Sequence, residues 1–142
     1  MPRSNDSTGS FSAGGQDADR DQGSFEIEFY GHVLRRNPYH IDALRRQVEL
    51  LAARGRHAEA LPLDRRLVEL CPQDCVVCYN LACSLAMAGQ IGEGIESLRR
   101  ALELGYDDFA HMAADSDLDP LRHRPEFRRL MARLISRRRL RS

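Results

Sequence analysis

The chain has 142 residues, of which 42% are hydrophobic, and its 21 basic residues balance its 21 acidic ones. This length supports one modest hydrophobic core, and the neutral charge gives no sign of a nucleic-acid or membrane partner. No run approaches the roughly 20 apolar residues of a membrane-spanning helix. The opening residues also lack the apolar core of a signal peptide. We therefore expect one ordered domain in the cytoplasm.

The N-terminal segment 1–23 is rich in Ser, Gly, Asp and Gln. Such a composition buries too little apolar surface to offset the entropy lost on ordering, so it predicts a disordered tail. The pattern changes at Ser24, which is a suitable N-cap for a helix. The apolar residues of this helix fall on one predicted stripe, formed by Phe25, Phe29, Val33 and Leu34.

The middle of the chain repeats itself with an offset of 34 residues. The matching pairs are Pro38 and Pro72, Leu51 and Leu85, Gly55 and Gly89, Ala60 and Gly94, and Leu70 and Leu104. A period of this length is typical of stacked helix-turn-helix units. The pattern predicts helices over 41–53, 57–70, 75–88 and 91–104. Within the second of these, Pro62 predicts either a late start, near Ala58 or Glu59, or a kink.

The second copy, residues 75–108, resembles a tetratricopeptide repeat (TPR). The resemblance is carried by Leu81, Ala82, Leu85, Gly89, Leu98 and Ala101. It implies an all-α fold, a short TPR-like helical solenoid of about two full repeats with capping helices. The implied organisation is a tail at 1–23, a repeat region at 24–108 that includes an N-terminal capping helix, and C-terminal capping helices at 109–142.

The regular repeat ends after Leu104, where Asp and Pro interrupt the pattern. We expect a short helix near 109–115, a helical turn after Asp119, and a last helix over 125–137. This ending resembles the aspartate- and proline-rich segment that often follows TPR units in bacterial proteins. Five apolar residues of the last helix are expected to cover the open end of the stack: Phe127, Leu130, Met131, Leu134 and Ile135.

Four cysteines lie close together and provide the competing hypothesis, a metal-binding or redox protein. Cys71, Cys75 and Cys78 have the spacing C-x3-C-x2-C, which also serves iron-sulfur clusters, and Cys83 follows. Because Cys75, Cys78 and Cys83 fall on one predicted helix, the four thiols cannot converge on one ion. Buried cysteine behaves as a small hydrophobe. We expect packing roles and no cofactor or metal.

No catalytic constellation stands out. The five histidines are scattered, and neither a phosphate-binding glycine loop nor a nucleophile elbow is present. Asp115, Asp117, Asp119 and Glu126 have the spacing of a calcium loop, but Pro120 stands where that loop needs glycine. We expect these aspartates to cap helices. The sequence predicts a non-enzymatic protein.

The resemblance to TPR proteins implies a concave groove that holds a peptide or a partner helix. By repeat position, its lining residues are Asp42, Arg45, Arg46, Glu49, Val76, Tyr79, Asn80, Cys83 and Met87. Tyr79 and Arg45 are the expected anchors, since large residues of these types are enriched at binding hot spots. The arginines predict a protein or peptide partner with acidic and apolar side chains, with no nucleic acid or membrane involved.

Overall fold

The structure, a computed structural model, describes residues 10–141, and it describes side chains from residue 22 to residue 140. Over these residues the chain is helical and contains no strand, so the predicted all-α class is confirmed. The elements are α1 (Ser10–Arg36), α2 (Ile41–Ala53), α3 (His57–Leu70), α4 (Cys75–Met87), α5 (Ile91–Glu103), α6 (Phe109–Ala114), a 3-10 helix (Ser116–Leu118), α7 (Asp119–Arg122) and α8 (Pro125–Arg141).

The chain divides into two compact units, residues 1–50 and 51–142. The first unit holds α1 and most of α2, and the second holds the remaining elements. None of the helices described combines the length and apolarity needed to cross a bilayer.

Helix α1 begins at Ser10, not at the expected Ser24. Once a helix is nucleated, each added residue gains a hydrogen bond at low cost, and no proline interrupts the backbone between Ser10 and Arg36. The predicted cap at Ser24 is therefore wrong. The part of the predicted disordered tail that spans residues 1–9 lies outside the described residues.

In the first unit, α1 and α2 are joined by polar contacts. Arg46 donates to Glu26 at 2.8 Å, and Gln47 donates from Nε2 to the carbonyl oxygen of Ile27 at 3.0 Å. Leu34 is buried, but Phe25 and Phe29 are exposed, which corrects the predicted stripe. The α1 face that meets α2 carries residues 26 and 27. Because successive helix positions are turned by about 100°, the stripe of Phe25 and Phe29 is not centred on that face.

In the second unit, three helices end in the same glycine turn. Gly55, Gly89 and Gly105 have φ values of 70°, 79° and 104°. At each turn the glycine N–H and the following N–H bond back into the helix, for example Gly89 to Ala86 and Gln90 to Leu85. This is the Schellman arrangement, in which a left-handed residue stops the helix. The turn glycines predicted at Gly55 and Gly89 are confirmed.

Helices α4 and α5 form the best-packed pair of the second unit. Nine of the thirteen residues of α4 are buried, and Leu98 and Ala101 of α5 pack into the same core. Gly94 allows the close approach: a Cβ there would lie 3.5 Å from the carbonyl oxygen of Ala82 and 3.3 Å from Leu121 Cδ2. Helix α3 begins at His57 and continues through Pro62, so the predicted late start is wrong. Pro62 has no N–H, so one helical hydrogen bond of α3 is missing there, and the alternative of a kink at Pro62 stays a prediction.

The irregular ending completes the core. Leu118 and Leu121 are fully buried and Phe127 is buried, while Leu130 and Met131 are partly buried against the same core. Ile135 is 53% exposed, which corrects its predicted role. It lies on the outward face of α8, and α8 still contacts the rest of the second unit further along, where Arg138 lies over the ring of Phe109. Helix α8 runs to Arg141, past the predicted end at residue 137.

Candidate peptide-binding site

The predicted groove residues divide between the two units. On α2, Asp42, Arg46 and Glu49 are exposed and Arg45 is half-buried. The guanidinium of Arg46 contacts Glu26 at 2.8 Å and Glu49 at 3.3 Å, both within the first unit. Its charge is therefore already partly balanced by two carboxylates.

On α4, the predicted residues differ sharply in exposure. Val76 and Met87 are 49% and 46% exposed, and Asn80 is half-buried. Tyr79 and Cys83 are only 2% and 7% exposed, so little of either side chain is open to solvent. The reason is the segment around α6, which lies over this part of α4 and covers both side chains.

Tyr79 is held by three neighbours from that segment. Its ring stacks on Tyr106 with centroids 4.2 Å apart and planes 5° from parallel. Its hydroxyl donates to Asp115 Oδ2 at 2.7 Å, and the His111 ring lies 5.7 Å away. Burial, and then the bond to Asp115, raise the pKa of Tyr79 far above its ordinary value. Tyr79 is thus a fixed hydrogen-bond donor that supports the groove.

A cavity of about 370 Å³ opens beside this stack. We call it the α4–α6 groove; its lining residues are Cys75, Val76, Tyr79, Asn80, Tyr106, Asp107, Asp108 and His111. Three predicted residues, Val76, Tyr79 and Asn80, come together here. The other contributors were missed, although the repeat offset pairs Asp108 with Asp74. Both aspartates cap helices: Asp74 accepts from Val76 N and Asp108 from His111 N.

The groove has an apolar floor and an acidic rim. Asp107 and Asp108 are exposed at its edge, and none of its eight lining residues is arginine. The Asn80 side chain has no hydrogen-bond partner within the described residues. An amide can both donate to and accept from a peptide backbone. The groove therefore offers apolar contact, one free amide and negative charge.

The cysteine cluster does not assemble as a site. The four cysteines form no disulfide with one another; Cys78 and Cys83 are buried, and Cys71 and Cys75 are half-buried. In the described part of the chain, no group of three potential metal ligands includes Cys71, Cys75 or Cys78. Burial raises the pKa of Cys78, which disfavours the thiolate that redox chemistry needs.

The glycine-terminated helix pairs and the groove on α4 define an all-α, TPR-like repeat protein. Its fold is similar to that of MamA from Desulfovibrio magneticus RS-1, a TPR-like protein solved from residue 41 to its end. The TM-score is 0.58 at 21% identity, over 84% of this chain and 70% of MamA. A MamA double mutant from the same strain gives a TM-score of 0.58 over 71% of its chain.

In sequence, the chain is 33% identical over 76 residues to a chloroplastic protein of Arabidopsis thaliana. That match spans 51% of this chain and 23% of the plant protein. No protein-family model matches the chain.

Proposed function

We propose that this chain is a non-catalytic interaction module that binds an extended segment of a partner protein in the α4–α6 groove. The supporting observation is that Val76, Tyr79 and Asn80, chosen by repeat position alone, line one open cavity. TPR-like folds such as that of MamA are typical of protein-protein interaction scaffolds.

The chemistry of the groove favours a particular partner. Val76 and the ring of Tyr106 offer apolar contact, and Asn80 offers hydrogen bonds to a peptide backbone. The rim aspartates attract a positive charge. We therefore propose a segment that places a Lys or Arg beside a large apolar side chain.

This proposal differs from the acidic partner predicted from the α2 arginines. Arg46 is engaged by Glu26 and Glu49, and Arg45 also has a partner within the described structure. A preference for acidic partners remains a prediction for the arginines of α2. The α4–α6 groove, in contrast, is edged by aspartates and therefore favours a basic partner. Complementary charge contributes more to partner choice and association rate than to affinity.

The proposal is tested with a library of displayed random peptides selected against the full chain. We expect enriched peptides to combine an apolar residue with a basic one. A Val76→Arg, Asn80→Ala variant should lose them, because it opposes the charge of the rim and removes the amide. The matched control is Ile135→Arg, because Ile135 is 53% exposed, close to the 49% of Val76, but lies on α8.

Two results would contradict the proposal. One is enrichment of acidic peptides by the wild type, and the other is equal retention of the same peptides by the groove variant. Helical circular dichroism of each variant must match that of the wild type, so that a loss of binding reports the groove.

A further inference from the structure

A second groove lies between α5 and α8, within the second unit. Its main cavity measures about 480 Å³ and adjoins a smaller cavity of about 110 Å³ that shares part of its lining. We call the two together the α5–α8 groove; the residues that define it are Ile91, Ile95, Arg99, Leu102, Leu130 and Arg133. None of the residues that line it also lines the α4–α6 groove, so the two surfaces are distinct.

Each wall of the α5–α8 groove is one stripe of a helix. The lining residues include positions 91, 95, 99 and 102 of α5 and positions 126, 130, 133 and 137 of α8. Steps of three and four residues return to the same face of an α-helix. From Ile91 to Leu102 the α5 stripe extends roughly 17 Å, or about three helical turns. The groove is therefore long enough to hold about three turns of another helix.

The floor of the α5–α8 groove is apolar and incompletely covered. Four aliphatic side chains are partly buried against the core and also line the groove: Ile91, Ile95, Leu102 and Leu130. Helix α8 is held on both sides of this floor, because Phe127 is buried in the core and the Arg138 guanidinium lies 4.4 Å from the centroid of the Phe109 ring. Apolar side chains of a partner would gain free energy by covering this floor.

The rim of the α5–α8 groove carries an excess of positive charge. Four arginines and two glutamates line the main cavity. Each glutamate lies within 4.0 Å of Arg99 or Arg129, whereas the side chains of Arg124 and Arg133 form no ion pair or hydrogen bond within residues 22–140. Arginine binds carboxylates strongly, often through two parallel hydrogen bonds. The groove therefore favours a partner with acidic side chains.

The lining residues also favour one conformation of the partner. The α5–α8 groove is lined by aliphatic, arginine and glutamate side chains and one glycine, without an amide or a hydroxyl group. An extended peptide would find few free acceptors for its N–H groups there, whereas a helix satisfies its own backbone. None of the lining residues is aromatic, although stacking on aromatic rings is typical of single-stranded nucleic-acid sites.

We propose that the α5–α8 groove binds an amphipathic helix of a partner protein whose apolar stripe is flanked by acidic residues. The apolar stripe covers Ile95 and Leu130. Acidic side chains one turn apart reach Arg129 and Arg133, which are themselves one turn apart on α8. This surface is additional to the α4–α6 groove, whose aspartates favour a basic partner, so the chain connects two partners of opposite charge.

The test uses a synthetic helix of about 16 residues, roughly 24 Å long, with one stripe of Leu flanked by Glu and a hydrocarbon staple on the outer face. Short displayed peptides hold little helix in water, so a random-peptide selection does not report on this groove. We expect fluorescence anisotropy to show binding to the full-length protein with a Kd below about 100 μM that weakens as salt is added. The same peptide with Lys in place of Glu, or unstapled with a central Pro, should bind at least about 10-fold more weakly.

Arg133→Glu is the informative variant, and Arg128→Glu is its matched control. Both arginines are exposed on α8 and neither side chain has a partner within residues 22–140, but only Arg133 lines the groove. We expect Arg133→Glu to weaken binding of the Glu helix by more than about 10-fold, because a like charge replaces a complementary one. Arg128→Glu should change it by less than about 3-fold, since solvent and salt screen the more distant charge.

The Val76→Arg, Asn80→Ala variant should bind the Glu helix like wild type, which separates a failure of this groove from a failure of the α4–α6 groove. The proposal is overturned if wild-type protein does not bind the Glu helix at about 100 μM. Equal binding by Arg133→Glu and Arg128→Glu also overturns it. A labelled single-stranded oligonucleotide is the alternative ligand: if it binds more tightly than the Glu helix and Arg133→Glu loses it, the surface is a nucleic-acid site and the proposal is wrong.

Discussion

The hydroxyl of Tyr79 donates a 2.7 Å hydrogen bond to Oδ2 of Asp115, although the two residues are 36 positions apart. The other carboxylate oxygen of Asp115 accepts from Asp117 N, which starts the 3-10 helix. One side chain thus joins the first helix of the second repeat to the irregular ending. This link holds the α6 segment over α4 and so shapes the wall of the α4–α6 groove.

Tyr79→Phe should destabilise the protein by about 2 kcal/mol, because it removes a hydrogen bond to a charged group in a partly buried position. The free energy of unfolding is measured by urea denaturation at pH 7. Tyr30→Phe is the control, since its hydroxyl makes no hydrogen bond within the described residues, and should change stability by less than about 0.5 kcal/mol. If both variants are equally stable, the hydrogen bond between Tyr79 and Asp115 contributes nothing measurable to the free energy of unfolding.

The buried carboxyl group of Asp64 predicts that the stability of the folded protein depends on pH. Its carboxylate is buried in α3 and accepts from Ser84 Oγ at 2.5 Å, and burial raises its pKa to about 6. In the unfolded chain the pKa is about 4, so the folded state holds the proton more tightly. Stability from this group is present below about pH 4, is lost as the pH rises to about 6, and is level above that. The loss amounts to roughly 3 kcal/mol.

Asp64→Asn removes this titration and retains an acceptor for Ser84. We expect the variant to match wild type at pH 4 and to exceed its stability by about 2–3 kcal/mol at pH 8. Urea midpoints between pH 4 and pH 8 provide the measurement. Parallel pH profiles for the two proteins would show that Asp64 has an ordinary pKa.

Gly94 and Gly92 form a matched pair on α5. A Cβ at Gly94 would lie 3.3 Å from Leu121 Cδ2, and Leu121 is fully buried, whereas a Cβ at Gly92 meets nothing within 4 Å. Gly94→Ala should destabilise by about 1 kcal/mol, because crowding in the core outweighs the gain in helix propensity. Gly92→Ala should stabilise by up to about 1 kcal/mol. Thermal unfolding of both variants distinguishes the two effects. If Gly94→Ala stabilises the protein, the Leu121 side chain can move to make room for the added Cβ.

Phe127 tests the role of the ending. The residue packs into the core with Leu118 and Leu121, so Phe127→Ala should cost about 3–5 kcal/mol. Ile135→Ala, on the exposed part of the same helix, should stay within about 0.5 kcal/mol of wild type. Both free energies of unfolding are measured by urea denaturation. A loss of less than about 1 kcal/mol for Phe127→Ala would show that α8 contributes little to the stability of the core.

The bounds of α2, α3, α4 and α5 were predictable to within about one residue because each depends on local signals, whereas the end of α8 was not. Gly55 and Gly89 take the left-handed conformation, and Asp74 caps α4, as their residue types and spacing indicate. The start of α1 was not predictable, because a stable helix propagates beyond the local capping signal at Ser24. The all-α class followed from the repeat alone.

The burial of Tyr79 was not predictable from repeat position. That position is open in a regular array, but here the segment bearing Tyr106, His111 and Asp115 covers it. Such coverage depends on tertiary contacts of an irregular segment, and no periodicity describes these. The same holds for the meeting of Cys83 with Asp115 and Asp117, which are distant in sequence.

The packing of Leu118, Leu121 and Phe127 also sets the number of repeats. These side chains fill the surface on which the next helical pair of a longer array would stack. Lengthening the array at this end would require removing the ending and rebuilding it after the added unit. The left-handed turn at Gly105 is the natural splice point for such a redesign, because the regular helices stop there and the terminator begins.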